Sequence, residues 1–438
     1  MSTESNTRPR AGVRKTGIVL VATCAASTVG AAEVDFRPVM SFGLFRDGNV
    51  ATVGDVDSAP GVGTDEFAVL SFDLLVTRTT PQSEFRFSYR PSYAAYNENK
   101  DLDYFANALV VNFVRTATEV SRLNVDGFIS RTDHQGQRAY APDSPTTFVP
   151  RTTETTGRIA ASGTVAAGAR GLFDWSVRAE GRGYEDLADN PATPAPTDPV
   201  DFINSVEGTA GAAWRFRYSE RGSVGVFLDV SAYEYEDATV EVPPAGSGVF
   251  VTVDTPGVLV ETLGATGTYE TTRSLTFTYS VGVFRASSDD DSLDDDSVTD
   301  PTFDGEIRYQ VNQVSNLAAG LRQTCSPGTG LAATTRDRGA WISYARAAEV
   351  RGLSATVLGG YWQRESLLAP AGESITTSFS VTGNLGWGFN RYLALNAFYS
   401  FIDQSHEGAA PPTLGTADSL DTNYSSYGIY LRWAIRGR

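Results

Sequence analysis

Apolar and polar residues alternate with a period of two along most of this sequence, over unusually long runs. Between Ile375 and Phe389 one set of alternate residues is mostly apolar, and the other consists of Ser, Thr, Asn and Gly. The same pattern recurs at 84–93, 205–217 and 303–312. Successive side chains of a β-strand point to opposite faces. Because these runs extend over about 12–15 residues, against about 5–6 in a globular strand, they predict long strands with one apolar and one polar face.

Two architectures use such strands, a soluble sandwich or repeat protein and a closed barrel in a lipid bilayer. A soluble sandwich does not usually need strands this long or this numerous. In lipid, every backbone polar group must be paired, so a sheet can cross a bilayer only if it closes on itself. After the N-terminus no segment approaches the apolar length of a helical span. We therefore expect an all-β fold, a transmembrane antiparallel up-and-down β-barrel.

The alternation divides the chain into about 18 strands, within a range of about 16–18. The expected strands are 34–46, 66–77, 83–96, 103–116, 120–132, 153–166, 172–184, 204–217, 223–235, 257–270, 274–286, 302–314, 317–325, 338–350, 352–364, 374–389, 392–403 and 422–434. Long and short connections alternate between them, as in outer-membrane barrels with long outer loops and short periplasmic turns. This parity predicts that both termini of the barrel lie in the periplasm.

The N-terminus has the layout of an export signal. Arg8, Arg10, Arg14 and Lys15 precede an uncharged, mostly apolar stretch, and small residues suitable for cleavage follow at 29–32. This arrangement is typical of a secretory signal peptide. We expect residues 1–31 to be a signal peptide and residues 32–438 to form a single barrel domain in the outer membrane of a Gram-negative cell.

Charge and residue types limit the partners. The formal net charge is −17, which disfavours nucleic acid because binding phosphate backbones requires a basic surface. With two Cys and two His, we predict no cofactor, metal site or intramolecular disulfide. The expected partners are outer-membrane lipid and lipopolysaccharide, the barrel assembly machinery and, if polymer is exported, periplasmic export proteins. Asp residues cluster at 289–300; oxygen ligands of this kind could hold Ca²⁺ loosely, but the run lacks the Gly-spaced order of a calcium loop and a solvated acidic loop is favoured. We expect this acidic mouth to make a channel mildly selective for cations.

The polar faces of the expected strands supply the candidate site residues. A wet lumen would be lined by Glu84, Arg86, Arg90, Arg178, Glu180, Arg182, Arg215, Arg217, Asp304, Glu306 and Arg308. Such charges either set ion preference or only keep the lumen hydrated. The last strand carries a second pattern, a polar residue, a Gly and two apolar or aromatic residues, which resembles a barrel-assembly signal. Its members are Ser426, Gly428, Leu431 and Trp433.

Several short stretches resemble a β-barrel porin family of bacterial outer membranes that is often encoded beside exopolysaccharide gene clusters. The first strand ends in Phe45–Asn49, and the third contains Tyr89–Tyr93 and then Tyr96. An acidic and aromatic run, Asp101–Phe105, follows, and the fifth strand ends in Ile129–Arg131. The resemblance implies an outer-membrane channel, with polysaccharide export as one use. It identifies no substrate.

Three functions remain open from the sequence. The first is a porin-like channel for polar solutes or for export of polysaccharide, and the second is a non-conducting structural or adhesive barrel. The third is an outer-membrane hydrolase, for which the candidate acid–base pairs are Asp133–His134 and Asp403 with Ser405–His406. Adjacency in sequence does not establish the convergence in space that catalysis requires. We therefore expect a protein that is not an enzyme.

Overall fold

The computed structural model describes residues 33–48, 64–98, 100, 103–118, 120–134, 152–185, 204–235, 238–241, 250–253, 257–288, 297–327, 334–347, 352–367, 374–408 and 422–434. Its strands are β1 (Glu33–Asp47), β2 (Asp65–Thr80), β3 (Ser83–Tyr96), β4 (Tyr104–Thr118), β5 (Ser121–His134), β6 (Thr152–Ala166), β7 (Gly171–Glu185), β8 (Ser205–Ser219), β9 (Gly222–Tyr235), β10 (Ala238–Glu241), β11 (Phe250–Val253), β12 (Val258–Thr272), β13 (Leu275–Ser288), β14 (Ser297–Asn312), β15 (Ser315–Pro327), β16 (Thr334–Arg346), β17 (Gly352–Ser366), β18 (Ser374–Gly388), β19 (Leu393–Gly408) and β20 (Thr422–Ala434). The expected signal peptide, residues 1–31, lies outside the described residues. No helix in the described ranges is long and apolar enough to cross a membrane.

Eighteen of these strands form one antiparallel sheet that closes on itself. Each strand pairs with its neighbour in sequence, except that β9 pairs directly with β12. The last strand, β20, pairs with β1, with Trp433 opposite Met40 and Ser426 opposite Asp47. A closed sheet of this strand number has a backbone diameter of roughly 35 Å at the usual strand spacing and tilt. The predicted antiparallel β-barrel and its strand number are confirmed.

Three details of the sequence prediction are wrong. The strand expected at 302–314 is β14, which begins at Ser297, so part of the expected loop at 287–301 belongs to it. The strand expected at 338–350 is β16, which spans Thr334–Arg346. The expected loop at 236–256 contains the hairpin β10–β11, which forms a separate two-stranded sheet.

Connections at the two ends of the barrel differ in length. At one end, here called the turn end, strands are joined by segments as short as 81–82, 220–221 and 273–274. At the other, the loop end, the joining segments include 48–64, 135–151 and 186–204. The first residue of β1 and the last residue of β20 both lie at the turn end. The predicted alternation of long and short connections is thus present.

Apolar side chains cover the outer surface of the barrel. Val226, Leu263 and Ile429 are each more than half exposed, while their neighbours in sequence point into the barrel. Among the described residues, buried apolar side chains are far fewer than exposed large apolar ones, so most apolar area lies on the outer face. In water this surface would be a large exposed apolar patch.

Aromatic residues on the outer face form two bands. On β3 and β4, Tyr93 lies opposite Phe105 near the loop end, and Phe85 lies opposite Phe113 near the turn end. Eight residues of β3 separate the two pairs, or roughly 21 Å along the barrel axis for a strand tilted by about 40°. The same eight-residue interval separates Phe379 from Trp387 on β18, and both are about half exposed: 46% and 51%.

Candidate functional site: the barrel lumen

All eleven predicted lumen residues lie on the inner face. Glu207 and Arg215 alternate along β8 with Val206 and Trp214, whose side chains are 58% and 53% exposed on the outer face. The register places Glu207 opposite Glu180, which continues the inner face onto β7. The same alternation holds for the candidates on β3 and β14. The structure therefore gathers these residues on one continuous wall.

Ten of the eleven candidates are in ion pairs. The pairs formed by these ten are Glu84–Arg86, Asp73–Arg90 at 3.2 Å, Arg178–Glu207, Glu180–Arg182 at 2.7 Å, Asp174–Arg215 at 2.5 Å, Asp304–Arg322 at 2.5 Å and Glu306–Arg308 at 2.7 Å. The remaining candidate, Arg217, is exposed near the turn end of β8. Charged pairs of this kind keep the wall hydrophilic while they leave its net charge small.

Several partners in these pairs were not among the predicted site residues. Asp73 accepts hydrogen bonds from Ser88 at 2.9 Å and pairs with Arg90. It lies on β2, where apolar residues occur on both faces, so alternation alone does not identify its side of the sheet. Arg322 on β15 lies outside the clear alternating runs. Its position opposite Asp304 becomes evident only from the register between β14 and β15.

At the loop end, the tips of β15, β16 and β17 separate from β14. The pairing between β14 and β15 stops where Phe303 lies opposite Gln323, although β15 continues to Pro327 in register with β16. At this point Thr302 Oγ1 donates to the Gln323 carbonyl oxygen at 2.8 Å, and Gln323 Nε2 donates to the Pro301 carbonyl oxygen at 2.7 Å. We call these tips, residues 324–327, 334–338 and 363–367, the lumen flap. At its other edge β17 stays paired with β18, with Glu365 opposite Ile375.

The lumen flap packs against the inner wall of the barrel. Cys325 and Leu367 join a cluster with Tyr233 of β9 and Phe284 of β13. Phe284 points inward, since its neighbour Val283 is 52% exposed on the outer face, yet Phe284 is only 1% exposed. A lumen-facing side chain of a wide barrel is exposed unless something covers it. The flap supplies that cover.

Polar contacts hold the flap in place. Arg336 on β16 forms ion pairs with Glu365 at 2.6 Å and, across the separation, with Asp300 of β14 at 2.5 Å. Asp337, only 2% exposed, accepts hydrogen bonds from Ser326 at 2.5 Å and from Arg364 at 2.8 Å. Breaking a buried ion pair costs several kcal/mol when one charge loses its partner. This network therefore resists movement of the flap.

Lumen-facing side chains are buried near one end of the barrel and exposed near the other. On the inner face near the loop end, Phe67, Tyr96, Ser378, Ile402 and Gln404 are all buried. Towards the turn end, lumen-facing Arg37, Arg86 and Arg308 have side chains that are 70%, 60% and 63% exposed. The lumen is thus open at its turn end and narrowed at its loop end.

Comparisons with known proteins find solved structures that resemble the chain only weakly. The chain matches no protein-family model, and no curated protein matches it. Solved structures that resemble it include the Pseudomonas aeruginosa protein OccK2 (OpdF), at 13% identity and a TM-score of 0.42 over 92% of this chain and 98% of that one. The Pseudomonas aeruginosa outer membrane protein opdK gives 12% identity and a TM-score of 0.42 over 92% and 99%. The copper transporter OprC gives 8% and 0.46 over 92% and 80%. Similarity at this level does not extend to substrate or activity.

The candidate catalytic pairs are not brought together where the structure describes them. His406 lies on the inner face of β19, with its Nδ1 2.9 Å from Thr376 Oγ1, whereas Asp403 and Ser405 are exposed on the outer face. The side chains of Asp133 and His134 lie outside the described residues. No group of His, Cys, Asp and Glu suited to a metal ion occurs within the described part of the chain.

The acidic cluster is only partly described. Asp300 was expected in a loop but belongs to β14, where it pairs with Arg336. The remainder of the expected acidic mouth at 289–296 lies outside the described residues. Its influence on ion selectivity stays a prediction.

The four assembly-pattern residues occupy both faces of β20. Leu431 and Trp433 are outward, 42% and 50% exposed, while Ser426 is buried on the inner face. Gly428 lies beneath the ring of Phe45, because a Cβ at this position would come within 2.2 Å of that ring. Gly428 thus has a packing role where β20 pairs with β1. Its predicted role in a barrel-assembly signal stays a prediction.

Proposed function

We propose that this protein is an outer-membrane channel for polar solutes. The observation that carries the proposal is the inversion of polarity across one closed sheet: apolar side chains outside, ion-paired charges inside. A soluble barrel would have the opposite arrangement, since the hydrophobic effect drives apolar surface away from water. A barrel of about 18 strands is also wide enough for an aqueous passage.

The two aromatic bands support a position across a bilayer. Aromatic girdles in outer-membrane barrels flank an apolar zone about 25 Å tall. The spacing of roughly 21 Å between the pairs on β3 and β4 is close to that value. We infer that the turn end faces the periplasm, because short periplasmic turns and long outer loops are the usual asymmetry.

We propose a class of solutes, hydrated ions and sugars, instead of a single substrate. Paired acids and arginines along the wall present both hydrogen-bond donors and acceptors to a passing solute, as hydrated ions and sugars require. Export of polysaccharide, membership of the porin family found beside exopolysaccharide clusters and cooperation with periplasmic export proteins rest on the sequence motifs alone. Contacts with lipopolysaccharide and with the barrel assembly machinery follow from the proposed location.

A second candidate is a barrel that does not conduct. It is favoured by the burial at the loop end, where the lumen flap covers Phe284 and where Ile402 is fully buried. In this function the barrel would present its outer loops while its lumen stays closed.

Conductance distinguishes the two candidates. The full chain is refolded in detergent, checked for a faster-migrating unboiled band on a gel, and added to planar bilayers in KCl. Stepwise currents that flicker when neutral or acidic oligosaccharides are added support the channel and indicate the sugar class. A folded barrel that inserts without any current contradicts the channel and supports the non-conducting barrel.

A further inference from the structure

Arginine residues ring the turn end of the barrel. The rim arginines, all exposed, are Arg115, Arg122, Arg170, Arg217, Arg221, Arg273, Arg346, Arg391 and Arg432. None of the nine forms an ion pair with another described residue, in contrast to the arginines of the lumen wall. Among the described acids at this end, only Glu33, Glu220 and Glu270 are outside ion pairs. The turn end is therefore strongly basic.

This basic rim is unexpected in a chain of net charge −17. Acidic residues are concentrated elsewhere in the sequence, in segments that join strands at the loop end. Residues 289–296 contain six Asp, and residues 186–204 contain four Asp without any Lys or Arg. The charge is thus separated along the barrel axis, and the field at the turn end attracts anions.

The rim arginines lie next to the aromatic band near the turn end. On the outer face, Arg115 lies two residues beyond Phe113 on β4, and Arg346 lies two residues beyond Tyr344 on β16. The guanidinium of Arg391 lies 4.7 Å from the ring centre of Tyr392. Aromatic rings of membrane proteins lie at the headgroup level, and long basic side chains near the ends of spans reach the same level. Exposed guanidinium groups there meet lipid phosphates.

We propose that the rim arginines outside the lumen mouth bind anionic phospholipid headgroups of the leaflet at the turn end. Guanidinium groups suit phosphate because they donate two parallel hydrogen bonds. These arginines are distributed around the perimeter, from Arg115 on β4 to Arg391 between β18 and β19, whereas a globular partner would dock on one patch. Lipid headgroups surround a barrel on all sides and fit this distribution. The inference rests on the proposed membrane location but not on conduction.

The alternation of side chains provides a matched pair of test variants. Arg115 and Arg346 lie on the outer face of their strands, whereas Arg122 and Arg432 lie on the inner face, at the lumen mouth. The outer variant carries Arg115→Gln and Arg346→Gln, and the lumen variant carries Arg122→Gln and Arg432→Gln. Both remove two positive charges at the same end of the barrel.

Quenching of tryptophan fluorescence by brominated lipids measures the preference. Each full-length protein is reconstituted with brominated phosphatidylglycerol or brominated phosphatidylcholine at equal mole fraction. We expect wild type to be quenched about twofold more effectively by the anionic lipid, with the difference lost in about 1 M salt. The outer variant should lose most of the preference, and the lumen variant should keep it.

The opposite outcomes overturn the inference in distinct ways. If only the lumen variant loses the preference, or if inorganic phosphate binds wild type in neutral detergent and not the lumen variant, the rim captures anionic solutes instead. Equal quenching of folded wild type by both lipids shows that the rim does not select anionic headgroups, while membrane location stands. Protein that no brominated lipid quenches is not in the bilayer, and the proposed location itself fails.

Discussion

Charged side chains along the lumen wall act in pairs, and this pairing determines what one substitution does. Asp174 receives two hydrogen bonds from Arg215, at 2.5 and 2.8 Å, and a third from Thr164 at 2.7 Å. Because each pair sums to zero charge, the wall as a whole presents little net field to an ion. Removing one member creates a net charge at that position.

We expect Asp174→Asn to shift an open channel towards anions. Arg215 then carries an uncompensated positive charge about 10 Å from the pore axis, worth about 0.4 kcal/mol in water and opposite in sign for cation and anion, or about fourfold in the cation-to-anion permeability ratio. The reversal potential in a KCl gradient measures this ratio. The double variant Asp174→Asn with Arg215→Gln should return it to the wild-type value. An unchanged ratio in the single variant would show that this pair does not face the ion path.

Aromatic stacking spans the seam where the barrel closes. Tyr430 of β20, Phe45 of β1, Phe67 of β2 and Tyr96 of β3 form a row of near-parallel rings, with centroids 6.4, 5.4 and 4.9 Å apart. These rings lie on the inner face, and Phe67 is 7% exposed. The row joins the first and last strands of the barrel by side-chain packing, in addition to their backbone hydrogen bonds.

Phe67→Ala should lower the free energy of unfolding by about 3 kcal/mol, since it leaves a cavity between two rings. Denaturant titration of the refolded protein, followed by the mobility of unboiled samples, measures this loss. Phe42→Ala on the outer face of β1 is the control, because lipid chains can fill the space it vacates and the loss should be clearly smaller. Equal losses in the two variants would mean that the stacked row adds nothing at the seam.

At the scale of strands, the lumen flap is the feature with a consequence for function. Its three tips are held together by Asp337 of β16, a buried carboxylate that accepts a hydrogen bond from Ser326 of β15 and pairs with Arg364 of β17. With Asp337→Asn, Arg364 keeps its charge without that partner, so the tips should separate from one another and from the wall more often. Cys325, a flap residue packed against the wall, reports this movement because it reacts with a water-soluble thiol reagent only when uncovered.

We expect Asp337→Asn to raise the labelling rate of Cys325 by about tenfold or more, as a loss of a few kcal/mol implies. Asp126→Asn, which breaks the Asp126–Arg158 pair on a distant part of the wall, is the control and should leave the rate unchanged. If both variants label at the wild-type rate, Asp337 does not hold the flap.

Alternation predicted most strands, because it depends only on neighbouring residues in the sequence. It failed where contacts between distant segments determine where a strand lies. The bounds of β3 and β20 are those expected, and β16 is displaced towards its N-terminal end. Residues 334–337 are polar on both faces, because this part of β16 belongs to the flap and lies inside the barrel instead of on its outer surface. Leu367 packs in one cluster with Tyr233, although the two residues are far apart in sequence. The periodicity of the sequence could not predict this contact.

Over the whole molecule, the two ends of the barrel differ in three independent ways. The turn end is open, basic and joined by short connections, whereas the loop end is narrowed by the flap and joined by long segments rich in Asp. The charged residues of the lumen wall were predictable from alternation, but the basic rim could be recognised only once the bounds of the strands were known. Only these bounds show that arginines distant in sequence lie at one edge.

This asymmetry leads to a prediction for orientation in the cell. With the turn end in the periplasm, an epitope inserted within 135–151 should bind antibody on intact cells, because that segment joins β5 and β6 at the loop end. An epitope placed at 81–82, between β2 and β3, should become accessible only after the outer membrane is permeabilised. Both insertions lie outside strands, so unboiled mobility confirms that each barrel is folded. Surface labelling of the 81–82 insertion, with none at 135–151, would reverse the orientation, and would place the arginine rim in the outer leaflet.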